Sequence, residues 1–190
     1  MKNLEPIVKV LEKSAIHRIT KLVILDRDGV INFESQSFVK TPEEWIPIPG
    51  SLEAIADLSK KGFTVAVASN QSGIPRGYLS IESLNSIEQK MLESVRSTGG
   101  RIDVIAYCPH LPLDNCDCRK PKPGLLKAIA AKLGADLTNS IFIGDRQTDL
   151  DAATAVRALG YLIAPNSDSS AQNTLVFSDL RSAVEAITKT

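Results

Sequence analysis

The chain has no surplus of charge: 22 basic residues balance 22 acidic ones across 190 residues. A neutral chain has no general electrostatic attraction for nucleic acid or an anionic membrane surface, so neither partner is expected. Long apolar runs are missing as well. None approaches the roughly 20 residues of a membrane span, and the first residues lack the apolar core of a secretory signal. Cysteine is scarce, with three residues, and histidine scarcer, with two. Three is an odd number and all lie within residues 108–118. That is a poor disulfide framework, and a metal site in a reducing cytoplasm explains it better. Repeats, low-complexity tracts and interdomain linkers are absent too. At this length the expectation is one domain, burying about 70% of its unfolded surface.

What is present is organised around residues 22–32. Four apolar residues, Leu22 to Leu25, run into Asp26, Asp28 and Gly29. So short and apolar a run suits a strand buried on both faces of a parallel sheet. In such sheets ligands bind beyond the carboxyl ends of the strands. Asp26 and Asp28 are therefore candidate active-site residues, with Gly29 allowing the tight turn that follows. The competing reading is an acidic turn, since Asp is a common turn residue.

Ahead of this strand, Leu4, Ile7, Val8, Leu11, Ala15 and Ile16 recur at helical spacing, with Pro6 near the start. They predict a helical extension over residues 1–20, with His17 on its surface, before a domain over 21–190. Residues 33–49 read as a loop, a candidate lid or substrate loop, whose lone Trp45 and Ile46 can equally cover the core. Helices follow: one capped by Ser51, one running from Ser80 to Gly99, one from Pro123 to Gly134, one near 149–158 and one carrying Leu180, Val184 and Ile187. Apolar runs at Phe63–Ala68, Ile102–Tyr107, Ser140–Ile143, Tyr161–Ala164 and near Val176 alternate with them. This alternation predicts an α/β, Rossmann-like three-layer sandwich with a central parallel sheet.

Each of the first four strands of that sheet ends in polar chemistry. Asp26 and Asp28 leave the first, Ser69 and Asn70 the second, Arg119 and Lys120 follow the third through the cysteines, and Asp145, Arg146 and Asp149 leave the fourth. Taken singly, Ser69 and Asn70 could be turn formers, Lys120 and Lys122 solvated charges, and Asp145 a helix cap. Their appearance in order, each after a strand, favours convergence. Carboxylates and a lysine at neighbouring strand ends balance only if a cation and an anion bind too. Mg²⁺ with a substrate phosphate meets that need, which points to phosphoryl transfer.

Cys108, His110, Cys116 and Cys118 form Cys-x-His, five residues, then Cys-x-Cys. Three thiolates and one imidazole make a closed tetrahedral Zn²⁺ shell with no open position, a structural site stiffened by Pro109 and Pro112. The alternative is a cluster of reduced thiols with His110 on the surface. Arg119 and Lys120 follow the last ligand directly, so the metal would anchor the loop that aims both cations at substrate.

Asp-x-Asp-Gly after a buried strand resembles the first motif of the haloacid-dehalogenase-type phosphohydrolases. That resemblance implies that Asp26 attacks phosphorus and that Asp28 serves as general acid and then base. It also implies that Ser69 and Lys120 hold the phosphoryl oxygens. Mg²⁺ would lie among Asp26, the backbone carbonyl of Asp28 and Asp145, in a haloacid-dehalogenase-like fold without a large cap domain.

Three segments are more specific. Residues 26–32 (Asp-Arg-Asp-Gly-Val-Ile-Asn), 69–77 (Ser-Asn-Gln-Ser-Gly-Ile-x-Arg-Gly) and 108–124 (Cys-Pro-His…Cys-Asp-Cys-Arg-Lys-Pro-Lys-Pro-Gly) are similar to the bacterial D-glycero-D-manno-heptose 1,7-bisphosphate 7-phosphatases, over about residues 21–165. This resemblance implies a cytoplasmic, monomeric, Mg²⁺-dependent, zinc-containing enzyme acting on a phosphosugar for lipopolysaccharide core. By position it puts substrate contacts on Asp26, on Glu34, Ser35, Gln36 and Ser37, on Ser69, Asn70, Gln71 and Ser72, and on Arg119, Lys120 and Arg146. Arg119 is the candidate for the sugar end.

Position 69 is Ser where many relatives have Thr, and the N-terminal extension is outside the family pattern. Histidinol-phosphate phosphatase is the nearest rival, because it shares the aspartates and the zinc loop, and the spacer Leu111 to Asn115 is short as in that relative. A non-catalytic zinc-knuckle module is the rival of another class. It predicts drift at an acidic position, whereas Asp26, Asp28, Lys120 and Asp145 are all present.

Overall fold

The computed structural model describes residues 4–11, 21–165 and 175–189. Its strands are β1 (Ile7–Val10), β2 (Leu22–Leu25), β3 (Thr64–Asn70), β4 (Val104–Cys108), β5 (Ser140–Gly144), β6 (Leu159–Ile163) and β7 (Leu175–Phe177). They form one sheet in the order β1-β4-β3-β2-β5-β6-β7. Its helices are α1 (Ser51–Lys60), α2 (Ile81–Ser97), α3 (Gly124–Leu133), α4 (Gln147–Thr154) and α5 (Leu180–Thr188). No helix among the described residues is long and apolar enough to cross a membrane.

All pairings from β4 through β7 are parallel, and only β1 runs antiparallel to its neighbour. Side chains of successive strand residues point to opposite faces, and both faces are covered here. Val23, Leu25, Val65, Val67, Ile105 and Tyr107 pack in the cluster that includes residues of α1, α2 and α5. Leu22, Ile24, Ala66, Ala68, Val104 and Ala106 pack with α3 and α4. The result is the three-layer sandwich expected from the alternation of apolar runs. The central strand β2 is flanked by β3 on one side and β5 on the other. The chain order therefore reverses at β2, and Asp26 leaves the sheet at that switch point.

Among the described residues of the expected N-terminal helix, 4–11, none is helical: residues 7–10 form strand β1 against β4, while residues 12–16 and His17 lie outside the described residues. Ile7 and Leu11 pack in the α1/α2/α5 layer and Val8 in the α3/α4 layer. β-branched side chains suit this two-sided burial. The open edge of β4 supplies backbone partners that an isolated short helix would lack. Ser51 does not cap α1 either. Gly50 occupies the cap, and the Ser51 hydroxyl donates to the Ile31 carbonyl at 2.7 Å. Ser80 does cap α2, accepting from the Ser83 N–H.

Candidate active site

The carboxyl ends of β2, β3 and β5 and the loop after β4 enclose a cleft of about 720 Å³. Asp26 is almost buried at its floor, and its Oδ1 accepts from the Arg27 N–H at 2.7 Å. Lys120 is also buried, with its Nζ 2.9 Å from Asp26 Oδ1 and 2.7 Å from Asp149 Oδ1. It also donates to the Ala68 carbonyl at 2.9 Å. Ligand oxygens of Asp26, Asp145 and Asp149 all lie within 4.8 Å of one another. Asp145 Oδ1 is buried without a hydrogen-bond partner.

This crowding shows in the titration of the groups. Burial, reinforced by Asp149 and opposed by Lys120, pushes Asp26 up to about 6. Burial followed by repulsion from Asp26 and Asp149 pushes Asp145 up to about 7. Burial works against the Lys120 charge, yet Asp26 and Asp149 outweigh it and raise that pKa. Three carboxylates against one ammonium leave an excess of negative charge. A hard divalent cation with oxygen ligands, of which Mg²⁺ is the type, fits that excess and the orphaned Asp145 oxygen.

Two glycines allow the approach. Gly29 has φ +83, and a Cβ there would collide with the Asp145 carboxylate. A Cβ at Gly144 would collide with the Asp149 side chain.

Asp28 behaves differently. Arg27, 1% exposed, donates from Nε at 3.1 Å and from Nη2 at 2.9 and 2.8 Å to its carboxylate. Asn32 Nδ2 adds a bond at 2.8 Å and Gln71 Nε2 one at 3.2 Å. Burial alone would raise its pKa, but Arg27 and these hydrogen bonds hold it below the usual carboxylate value. Its carboxylate is not among the three that converge. The third carboxylate is Asp149, which the sequence reading had not counted as a ligand. In α4 the Asp149 Oδ2 caps the helix by accepting from the Arg146 N–H at 3.1 Å, which fixes Oδ1 toward Lys120. The Asp145-to-Asp149 spacing across a helix start was the available signal.

The remaining expected contacts line the cleft with one exception. Glu34, Ser35, Gln36, Ser69, Asn70, Gln71, Ser72, Arg119 and Arg146 are in its wall, whereas Ser37 is not, and its N–H donates to Ser35 Oγ. Arg27, Phe38, Val39 and Thr148 line it as well and had been missed. Glu34 and Arg146 pair across the mouth. Asn70 is partly committed: its amide donates to the Lys120 carbonyl and accepts from the Lys120 N–H, both at 3.2 Å, stitching β3 to the loop. Ser69 Oγ accepts from Gln71 Nε2 at 3.0 Å.

That loop carries the second cluster. Cys108, His110, Cys116 and Cys118 are all buried and close enough to share one ion. Sulfur–sulfur distances are 3.6 Å for Cys108–Cys116 and for Cys116–Cys118. His110 Nδ1 lies 3.5 Å from Cys108 Sγ and 3.2 Å from Cys118 Sγ. With Zn–S at about 2.3 Å, tetrahedral geometry puts neighbouring sulfurs about 3.8 Å apart, so the four atoms are spaced like the corners of a zinc tetrahedron. The Cys118 hydrogen bond pushes the Cys108 thiol down to about 5. Arg119 Nη1 donates to the His110 carbonyl at 3.3 Å, tying this cluster to the cleft.

A model of the haloacid dehalogenase-like hydrolases matches residues 11–157. The chain belongs to that family. Within it, the chain belongs with proteins named D-glycero-beta-D-manno-heptose-1,7-bisphosphate 7-phosphatase. One from Pseudomonas putida is 49% identical over 166 residues, covering 84% of this chain and 95% of the relative. The solved structure of D,D-heptose 1,7-bisphosphate phosphatase from B. bronchiseptica, complexed with magnesium and phosphate, is similar at a TM-score of 0.83 and 41% identity. It covers 89% of this chain and 98% of that one. The enzyme of the same name from Burkholderia thailandensis matches at a TM-score of 0.67 and 34% identity, covering 90% of this chain and 99% of that one.

Proposed function

We propose that this haloacid dehalogenase-like hydrolase is a Mg²⁺-dependent phosphatase that removes the 7-phosphate of D-glycero-D-manno-heptose 1,7-bisphosphate. The observation that carries the reading is the convergence of Asp26, Asp145 and Asp149 around buried Lys120. The names of the relatives supply the substrate.

Asp26 is the nucleophile. Its Oδ1 is occupied by Arg27 N–H and Lys120, so Oδ2 is the oxygen offered to phosphorus. Attack breaks the ester bond and leaves an aspartyl-phosphate. Asp28 delivers a proton to the departing sugar oxygen, then takes one from the water that hydrolyses the intermediate. Arg27 and the hydrogen bonds to Asp28 favour its ionised form, the one the second half needs. The proton it gives to the sugar oxygen in the first half therefore has to enter with the substrate, carried by the phosphate monoanion. Asp26, Asp145 and Asp149, with the Asp28 carbonyl, would hold Mg²⁺, which when bound neutralises the phosphoryl oxygens. Lys120 Nζ stands against Asp26, Asp149 and the Ala68 carbonyl, so it meets a phosphoryl oxygen by exchanging one of those contacts. Ser69 holds a second phosphoryl oxygen, and Arg119 faces the sugar end. Zn²⁺ in the Cys108/His110/Cys116/Cys118 cluster is structural. The protein acts as a cytoplasmic monomer in the formation of lipopolysaccharide core.

Phosphate release from heptose 1,7-bisphosphate and from histidinol phosphate, measured side by side, tests the substrate. A higher kcat/KM on the bisphosphate is expected, and a preference for histidinol phosphate would overturn it.

A further inference from the structure

We infer that Trp45 is a positioning residue for Asp28, acting through Asn32. This rests on the reading of Asp28 as the proton-transferring group. The indole Nε1 of Trp45 donates to Asn32 Oδ1 at 2.9 Å. Asn32 Nδ2 then donates to Asp28 Oδ1 at 2.8 Å and to the Phe33 carbonyl at 2.9 Å. Both Trp45 and Asn32 are at 0% exposure, so no bulk water can stand in for a missing partner.

The chemistry of the partners leaves one orientation for the Asn32 amide. An indole N–H only donates, and an ionised carboxylate and a peptide carbonyl only accept. Turning the amide over would set its NH₂ against the indole N–H and its oxygen against the Asp28 carboxylate. The indole therefore fixes which end of Asn32 meets Asp28. Trp45 is itself pinned. Lys90 Nζ donates to the Trp45 carbonyl at 3.0 Å and to the Pro42 carbonyl at 2.6 Å, and stands over the indole ring.

A large buried aromatic would serve the core equally well as Phe, so the indole N–H has a task that packing does not explain. Trp45 closes the loop that also presents Glu34, Ser35 and Gln36 to the cleft. Folding of that loop and placement of Asp28 are thus one event.

The test uses the full-length, zinc- and magnesium-loaded protein. Trp45→Phe keeps an aromatic ring and removes the N–H. It is expected to lower kcat on heptose 1,7-bisphosphate about tenfold, with KM within twofold. Asn32→Ala is expected to lose about as much, and the double variant no more than Asn32→Ala alone, as for residues acting in one chain. Unchanged kcat in a destabilised Trp45→Phe, or additive losses in the double variant, would overturn the inference.

Should Trp45→Phe fail to fold, the single tryptophan supplies another readout, since the protein has one indole N–H resonance. That resonance is expected to shift in Asp28→Asn, and no shift would count against the coupling. Asp28→Asn also separates the two readings. It should lose about 10²- to 10⁴-fold in kcat. If instead it turns over normally, the role given to Asp28 is what fails.

Discussion

In the cleft, three carboxylates are held at the ends of sheet strands and at the start of α4, with one ammonium reaching in from the loop after β4; three sulfurs and one imidazole are held by the end of β4 and by that loop, which has little regular structure. The cleft is unfavourable by itself, since Asp26 and Asp145 are pushed up to about 6 and about 7. Hydrogen-bonded sheet strands keep those charges together, and a cation bound with a phosphate would relieve their repulsion. The loop is tied to the sheet through Cys108, the last residue of β4, which pairs with Asn70 of β3, and the other three ligands lie beyond the strand. Four side-chain ligands would close the coordination of an ion in the loop, whereas three carboxylates would leave an ion in the cleft open to substrate. Lys120 joins the two: it lies two residues after Cys118 and ends between Asp26 and Asp149.

The largest expected effect separates chemistry from fold. Asp26→Asn should lower kcat by about 10⁴-fold or more while melting stays within a few degrees of the parent. Retained turnover in a folded variant would place the nucleophile elsewhere.

Cys116→Ser should reverse that pattern, acting first on stability. Loss of a structural metal ligand ranks among the large destabilisations, about 4 kcal/mol, or about 8–16 °C for a chain of this size. KM should rise with it, because Arg119 and Lys120 lose their anchor. Melting and bound zinc are the readouts. A variant that loses zinc and keeps both Tm and KM would show the two regions to be independent.

Asn70→Ala cuts the stitch between them. It removes two hydrogen bonds from the Lys120 backbone, so a loss of about 1–3 kcal/mol is expected, with raised KM and unchanged zinc content.

The smallest effect is one of pH. In Mg²⁺-free protein, Asp26 and Asp145 titrate above the ordinary carboxylate value of 3.8. Their contribution to stability is therefore full below about pH 4 and is lost as pH rises through about 6 to 7. Mg²⁺ binds the ionised form, so it should raise Tm more at pH 8 than at pH 5. An equal rise at both values would remove the carboxylates from the metal site.

Much of this was legible from the chain. Buried parallel strands leave apolar runs, and the first polar residue after each run is where a ligand sits, which is how Asp26, Ser69 and Asp145 could be named. Cysteine and histidine are so few that their spacing alone identified the loop cluster. Other features depended on partners far along the chain. Leu4, Ile7, Val8 and Leu11 fit helical spacing, and only the open edge of β4 turns that segment into a strand. Asp149 sits in the first turn of α4, where an acid is ordinary as a cap, and its second oxygen becomes informative only beside Lys120. The placement of Arg27 and Trp45 around Asp28 depends on side-chain hydrogen bonds that no periodicity records.

The central claim is that Asp26 becomes phosphorylated in a magnesium-bound cleft. Protein mixed with heptose 1,7-bisphosphate, quenched and reduced with borohydride, would convert an aspartyl-phosphate to homoserine, which peptide mass spectrometry can locate. The account predicts homoserine at position 26, present with Mg²⁺ and absent after chelation. Turnover with the reduced residue at another position would contradict it.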